Sequence, residues 1–271
     1  MLKYLSASLL LLPLFNHRLL LIGLIKRSLK MTYAGSLGGV LWVYIKPLLM
    51  VIAYYFVFDR VLQVRLNAQS PEGASYSFYL LSGLLPWLVF SESIMEGAGS
   101  LVREAEILKK TRFPLEIIPA KIALVSAIKV LPIVYILWLI SLFKVDGSVL
   151  AVLYLSVWIV LQLVISFYFI TVFSILSAAF RDVSLLVESF FPLLLFFSPV
   201  LYPIETVPET LRWVLYIHPY TALAEGYHAI ILDGSLPSGL AMSIVLGWLM
   251  VTLFLSRVLL RRSRDHLVDW L

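Results

Sequence analysis

The 271-residue chain contains no cysteine, and only 14% of its residues are charged. Without cysteine there is no disulfide, no thiolate metal site and no cysteine nucleophile. The four histidines, His17, His218, His228 and His266, are scattered along the chain. No H-E-x-x-H, no G-x-S-x-G and no metal-spaced cluster occurs; His218 and His228 share one region, but neither has a partner carboxylate and serine at recognisable spacing. A G-x-x-x-x-G-K-S/T loop is also missing, so the chain cannot cradle ATP phosphates by that route. What replaces charge is apolar surface, at 61% of residues. Soluble domains carry about 45–50% apolar and about 25% charged residues. The departure is the one expected when lipid is the solvent.

A helix needs about 20 apolar residues to cross about 30 Å of hydrocarbon. Six such runs are present: Leu37–Phe58, Phe78–Ala98, Ile117–Phe143, Val149–Ala178, Val183–Leu201 and Leu240–Leu260. The second is the weakest, because Glu92 and Glu96 fall in its last turns. Backbone groups have no water partner in lipid, so the runs are expected to be helices. The formal net charge of +5 is unevenly placed. Fifteen Lys and Arg fall in the segment before run one, in the loops after runs two and four, and in the tail; the alternate segments hold only Arg60, Arg65, Lys144 and Arg212. By the positive-inside rule both termini are cytoplasmic. That asymmetry explains the basic balance without nucleic acid. Lys3 and the apolar run Tyr4 to Phe15 have the outline of a signal peptide. However, Asn16-His17-Arg18 stands where small cleavage-site residues should be, so this start is expected to stay on the chain.

Three segments are not plain spans. Before run one, Leu21, Leu24, Ile25 and Leu29 share one helical face, opposite Gly23, Lys26, Arg27 and Lys30. This predicts a helix in the interface, its basic face toward lipid phosphates; simple positive-inside anchoring is the alternative. In Leu101–Pro119, Glu106 and Lys110 stand at i and i+4 in the favourable order, and Leu101, Ala105 and Leu108 share a stripe. A short charged helix is expected, ending at Phe113-Pro114, either as a docking element or as a solvated loop. In Tyr202–Ser238, Thr206 and Glu209 form a T-x-x-E capping pattern. His218-Pro219 should end that helix, and Asp233-Gly234 should cap a second one over Ala222–Leu232. Two helices of about 15 Å each are too short to span. They are expected to form a re-entrant hairpin, or an exofacial loop with two surface helices.

Charges within the runs are few: Lys46, Lys129, Glu92, Glu96 and Glu188. No paired mid-membrane acids support ion coupling, and the lysines can snorkel. Trp42, Tyr44, Trp87, Trp138, Trp158 and Trp248 suit interface belts. Tyr54-Tyr55-Phe56, Phe167-Tyr168-Phe169 and Phe190-Phe191…Phe196-Phe197 cluster more densely. Such rings can stack on sugars or simply pack against lipid.

Several motifs stand in a fixed order. They are Arg27…Tyr33…Ser36-Leu37-Gly38…Leu41-Trp42…Lys46-Pro47, Tyr79-Leu80-Leu81-Ser82-Gly83-Leu84-Leu85-Pro86-Trp87, Leu108-Lys109-Lys110…Phe113-Pro114…Pro119, Phe180-Arg181-Asp182, Ser198-Pro199-Val200-Leu201-Tyr202-Pro203…Val207-Pro208-Glu209, and His218-Pro219…Gly234. In this series the chain resembles, from about residue 24 to 260, the membrane subunit of bacterial ABC exporters for O-antigen, teichoic acid or related capsule polymers. His218-Pro219 stands where relatives usually have Asn-Pro.

The resemblance implies an all-α membrane protein and a homodimer. One transmembrane domain covers 1–271, with a cytoplasmic or interfacial N-terminus (1–36), a six-helix permease (37–260) and a cytoplasmic tail (261–271). Two copies of a separate ABC ATPase would carry ATP and magnesium, leaving this chain without cofactor or metal and not itself an enzyme. Leu101, Glu104, Glu106, Leu108, Lys109, Lys110 and Arg112 would form the ATPase-coupling helix. Runs one and five would line the channel, with Tyr44, Tyr54, Tyr55, Phe190, Phe191, Phe196 and Phe197 as candidates. The hairpin after run five would be an outer gate containing Ser198, Pro199, Tyr202, Pro203, Pro208, Trp213, Tyr216 and Tyr220. Lys26, Arg27, Lys30, Arg181 and Asp182 would mark the cytoplasmic entry for an undecaprenyl-diphosphate-linked polysaccharide in the bacterial inner membrane. Read from its residues alone, Asp182 N-caps the fifth helix. The other classes open to this sequence are a stand-alone secondary transporter or channel, and a membrane-embedded enzyme.

Overall fold

A computed structural model describes residues 12–32, 35–63, 75–110, 114–142 and 151–263. Among these the regular structure is all helical. A short α1 (Leu12–Asn16) and α2 (Arg18–Thr32) come first. Next, α3 (Trp42–Tyr55) runs on into a π-helical turn, Phe56–Val61. Then come α4 (Tyr76–Ala98), α5 (Ser100–Arg103), α6 (Ala105–Lys110), α7 (Ile117–Ser141) and α8 (Ala151–Ala179). The chain continues through α9 (Asp182–Leu194), α10 (Glu209–Ile217), α11 (Pro219–Leu232) and α12 (Gly239–Ser263).

Among the described residues five helices are long and apolar enough to cross a bilayer: α3 with its π-helical turn, α4, α7, α8 and α12. The fifth apolar run behaves differently. Its helix α9 has 13 residues, or about 20 Å. A 3₁₀ turn, Leu195–Phe197, follows it and adds about 6 Å. The element stops there because Ser198 precedes Pro199. The proline ring disfavours helix at the residue before it, and Ser198 is extended, at φ −128° and ψ 150°.

The second run, weakest by composition, forms the core. Of the most apolar window of α4, 83% is buried, against 6% for α3. α4 packs on α7, α8, α9 and α11. Small residues allow this. A Cβ on Gly97 would lie 2.4 Å from Ile170 Cγ2, and one on Gly83 would lie 2.8 Å from His228 Nε2. Close helix approach through small residues is the general route to tight packing in lipid. The buried serines of α4 cost little, because Ser82, Ser91 and Ser93 donate to carbonyls of their own helix at 2.7–2.9 Å. Gln162 of α8 reaches across to donate to the Pro86 carbonyl at 2.8 Å.

α11 is wedged among α4, α8 and α12. Tyr220, Ala222, Leu223, Ala224 and Tyr227 on it are fully buried. Gly226 meets the Trp158 ring so closely that a Cβ would lie 2.2 Å from it, and Trp158 Nε1 donates to the Leu223 carbonyl at 2.9 Å. Gly234, at φ +62°, takes the left-handed conformation that closes α11. With 14 residues α11 is longer than its expected length, yet still too short to span.

Candidate functional site

The basic end of the bundle carries α2, α5, α6, the start of α7 and the α8–α9 joint. The expected single charged helix is interrupted. Glu104, at φ −102° and ψ 16°, separates α5 from α6. Its amide donates to the Ser100 carbonyl, while its own carbonyl accepts from Ile107 and Leu108. The Glu104 carboxylate pairs with Lys121 of α7. Arg103 turns back to donate to the Glu96 carbonyl. Leu101 is buried in the core, Leu108 packs partly against it, and Glu106 and Lys109 point to the exterior. The side chain of Lys110 and all of Arg112 lie outside the described residues, so the Glu106–Lys110 pair does too.

α2 lies against the same end. Leu21 is buried with Ile117, Ala120, Phe167 and Tyr168, and Leu24 and Ile25 pack beside it. The apolar face therefore covers α7 and α8, while Lys26, Arg27 and Lys30 remain exposed. Arg181 and Asp182 are exposed at the start of α9. Asp182 does not N-cap that helix: Arg181 holds the cap position without a side-chain cap bond, and Asp182 falls in the first turn. There its charge still meets the positive end of the helix dipole.

The helices that carry the charges within the spans, α3 with Lys46, α4 with Glu92 and Glu96, and α7 with Lys129, pack against one another.

The channel candidates separate by exposure. Tyr55, Phe190, Phe196 and Phe197 are exposed large residues. Tyr44 and Tyr54 are half-buried, with Tyr54 stacked on Phe58 at 5.9 Å. Phe191 is buried, packed against Phe90 and Phe173, and faces no open surface of this chain. Arg60, which the sequence reading did not single out for a site, lies over the Tyr55 ring at 5.5 Å and donates to its hydroxyl at 3.0 Å.

At the opposite end the segment after α9 is stapled to α4. Tyr79 donates to the carbonyls of Pro199 and Tyr202 at 2.8 and 3.0 Å, and Tyr76 donates to Leu201 at 2.7 Å. Ser198 and Pro199 are buried, Tyr202 and Pro203 are half-buried, and Pro208 and Trp213 are exposed. Tyr216 donates to Glu225 at 2.9 Å. Burial pushes the Glu225 carboxyl up, and burial with that bond pushes the Tyr216 phenol up to about 12. Tyr220 is fully buried and donates to the Gly83 carbonyl at 2.7 Å.

The T-x-x-E box does not form. Pro208 is the N-cap of α10, and Val207 before it is extended at ψ 133°. The helix therefore starts too late for Thr206, whose hydroxyl donates to Pro203 at 2.7 Å. Arg212 takes over the joint, donating to the carbonyls of Val207 and Glu205 at 2.9 and 3.1 Å.

Both outer histidines are buried and neutral. Burial pushes the His218 imidazole down to about 4 and that of His228 to about 3. His218 sits 5.7 Å from Trp87, and His228 sits 4.0 Å from Tyr79, ring to ring. Neither meets a carboxylate and serine in a hydrolytic arrangement, and no group of three His, Asp or Glu able to hold a metal occurs among the described residues.

The family model for ABC-2 type transporters matches residues 20–232, most of α2 through α11. The chain belongs to the ABC-2 type transporter family. Within it, this ABC-2 chain is 28% identical over 252 residues to an O-antigen export system permease protein of Myxococcus xanthus, covering 90% of this chain and 94% of that one. A Klebsiella pneumoniae O-antigen export system permease protein is 28% identical over 218 residues, 80% of this chain and 82% of its own. The Escherichia coli polysialic acid transport protein is 20% identical over 247 residues, 89% and 92% of the two chains. The family match takes in α2, the α5–α6 break and α11, and the ABC-2 bundle described above is that of a multi-pass membrane permease.

Proposed function

We propose that this chain is the permease subunit of an ATP-driven exporter that moves a lipid-linked polysaccharide, of O-antigen type, out of the cytoplasm across the bacterial inner membrane. The observation that carries this reading is the nearly full-length alignment with O-antigen export permeases. The polysialic acid relative supports polysaccharide as the wider substrate class.

The remaining roles follow from that assignment. The basic end is cytoplasmic, as are both termini, in keeping with the charge asymmetry. α9 acts as a sixth, short membrane element, and residues 1–36, 37–260 and 261–271 form one transmembrane domain. Two copies pair through the apolar, little-buried faces of α3 and α9, where Leu49, Ile52, Phe190 and Phe196 are exposed. Tyr44, Tyr54, Tyr55, Phe190, Phe196 and Phe197 supply rings along which a glycan slides, since stacking tolerates any sugar face. α5 and α6 receive the motion of two ATPase subunits, which carry the ATP and magnesium. Lys26, Arg27 and Lys30 attract the lipid diphosphate at the entry. α10 and α11, re-entering from outside, gate the exit. Pull-down of the tagged chain is expected to recover a soluble Walker-motif ATPase, with ATP turnover by the complex. Recovery of a partner-free protein that transports on an ion gradient refutes the reading.

A further inference from the structure

α3 and α9, which carry the rings of the proposed conduit, are both fastened at their outer ends to the start of α4, the most buried span. Asp59, in the π-helical turn after α3, accepts from the Ser77 hydroxyl at 2.7 Å and from the Ser77 amide at 3.3 Å. Beside that pair the Phe58 and Tyr76 rings meet at 5.0 Å. The π-helical turn makes the double contact possible. Its Leu62 N–H bonds to the Val57 carbonyl, five residues back, at 2.8 Å. Such a turn holds more residues than an α turn, so neighbouring side chains diverge less and Phe58 and Asp59 both reach α4. Ser77 is only 2% exposed, and an amide in the first turn of a helix has no partner within that helix. The Asp59 carboxylate supplies one from another helix, at the positive end of the α4 dipole. On its other side, the same turn of α4 holds the segment after α9: Tyr76 donates to Leu201, and Tyr79 donates to Pro199 and Tyr202. Tyr76 therefore touches both walls, one with its ring and one with its hydroxyl.

The opposite ends are built differently. The chain enters α3 through Gly35 at φ +80° and Gly39 at φ +47°. A Cβ on either would meet no described neighbour within 4 Å, so glycine stands there for backbone freedom rather than for packing. In the inner half of α9 the Ser184 and Ser189 hydroxyls are spent locally, on the carbonyls of Arg181 and Leu185. Asp182, Leu185 and Leu186 there are exposed. We propose that the first turn of α4 is a fixed outer clasp about which α3 and α9 pivot, with Asp59, Ser77 and Tyr76 as positioning residues. The inference rests on the export reading for what passes between the two walls. Motion delivered at α5 and α6 reaches the walls at their loose ends, while the core helix holds their outer spacing. The conduit therefore widens from the cytoplasmic side, and control of the exit is left to α10 and α11.

The test uses the full chain with its co-purified ATPase in proteoliposomes. Because the chain has no cysteine, spin labels can be placed in pairs. Val61→Cys with Leu193→Cys reports the outer ends, and Leu41→Cys with Leu185→Cys the inner ends; all four side chains are exposed. Labelled chain is diluted with unlabelled chain so that each distance lies within one copy, and double electron–electron resonance is recorded with and without ATP. The outer distance should hold within about 2 Å, the scale of small helix shifts, and the inner distance should change by more. An outer change as large as the inner one overturns the proposal. So does an inner distance that stays fixed while the complex hydrolyses ATP.

Variants assign the effect to the named pair. Asp59→Ala should broaden the outer distance distribution and lower export per ATP hydrolysed at least about fivefold, the lower end of an ordinary coupling, with ATP turnover kept within about twofold. Asp59→Asn keeps an acceptor for the Ser77 hydroxyl and should keep the narrow outer distribution. If it behaves as Asp59→Ala does, the residue acts by charge alone and the clasp is refuted. Ser77→Ala removes the hydroxyl bond from the other side, and it carries the comparison if Asp59→Ala fails to insert. The double variant Asp59→Ala/Ser77→Ala should be no worse than Asp59→Ala; additive losses refute the pairing. The export reading fails separately, when a deletion strain keeps its surface polymer. The outer widths of the wild type, Asp59→Ala and Asp59→Asn, read without ATP, then judge the clasp by themselves. An unchanged outer width in Asp59→Ala, in a chain whose deletion does abolish the polymer, refutes the clasp alone.

Discussion

Gly226→Ala tests whether α11 is wedged inside the bundle rather than lying on its surface. The new methyl would stand 2.2, 2.3 and 2.6 Å from Trp158 Cζ2, Cε2 and Nε1, where ordinary contact is 3.4–4 Å. Relief needs a shift of roughly 1 Å by the indole or by α11. The indole cannot swing aside cheaply, because Trp158 is 1% exposed and its Nε1 donates to Leu223 on the same α11. Overpacking of this kind costs about 1–3 kcal/mol, and loss of the hydrogen bond adds about 1 kcal/mol. In detergent the variant should therefore melt roughly 5–15 °C below the wild type. Trp158→Phe removes the atoms that clash and the donor. The double variant Gly226→Ala/Trp158→Phe should accordingly be more stable than the two single effects added, by about 1–2 kcal/mol. Differential scanning fluorimetry of the four proteins measures this directly. An unchanged melting temperature for Gly226→Ala, or simple additivity in the cycle, would refute the buried placement of α11.

Other consequences are open to similar checks. Tyr79→Phe removes the donor shared by Pro199 and Tyr202 and should cost about 1–2 kcal/mol, read as faster maleimide labelling of a cysteine placed at Tyr202. Trp213→Ala should leave stability within about 0.5 kcal/mol, since the ring is 62% exposed, yet slow export if the outer hairpin gates; unchanged export removes Trp213 from the gate. His218 and His228 are pushed down to about 4 and 3, so the unfolded chain binds more protons below its own histidine pKa of about 6.5. Stability is then full above about pH 6.5 and falls, by an amount on the order of a few kcal/mol, as pH drops toward 4. His218→Asn should flatten that fall, and an unaltered pH profile would contradict it. Because the chain has no cysteine, Phe196→Cys alone should crosslink two copies, whereas Leu153→Cys on the exposed face of α8 should not; the reverse pattern removes α9 from the dimer contact.

The sequence was most legible where composition alone decides the outcome. Four long runs became α4, α7, α8 and α12 within a few residues of their expected ends, because lipid leaves an apolar run no alternative to helix. The amphipathic pattern of α2 and the αL cap at Gly234 were equally local. Where a proline or a distant partner decides, local patterns misled. Val183–Leu201 is long and mostly apolar, but Ser198-Pro199 stops the helix early. Thr206 and Glu209 have capping spacing, but Pro208 moves the helix start past them. Nothing local marks Glu104 as a break; its carboxylate goes to Lys121, 17 residues on, and that pairing requires α7 to be in place. Glu92 and Glu96 made run two look weak, yet α4 is the most buried of the spans. Tyr76, Tyr79 and Arg60 received no site role because hydroxyl-to-carbonyl staples and ring–guanidinium contacts leave no spacing signature.

On the function proposed above, this chain is the conduit of a two-part exporter, with the motor on another polypeptide. Proteoliposomes containing the chain and its co-purified ATPase, loaded with a labelled lipid-linked polysaccharide, test it most directly. Label should appear on the opposite face only with ATP, and not with either protein alone. Transport by the chain alone, driven by an ion gradient and indifferent to ATP, would contradict it.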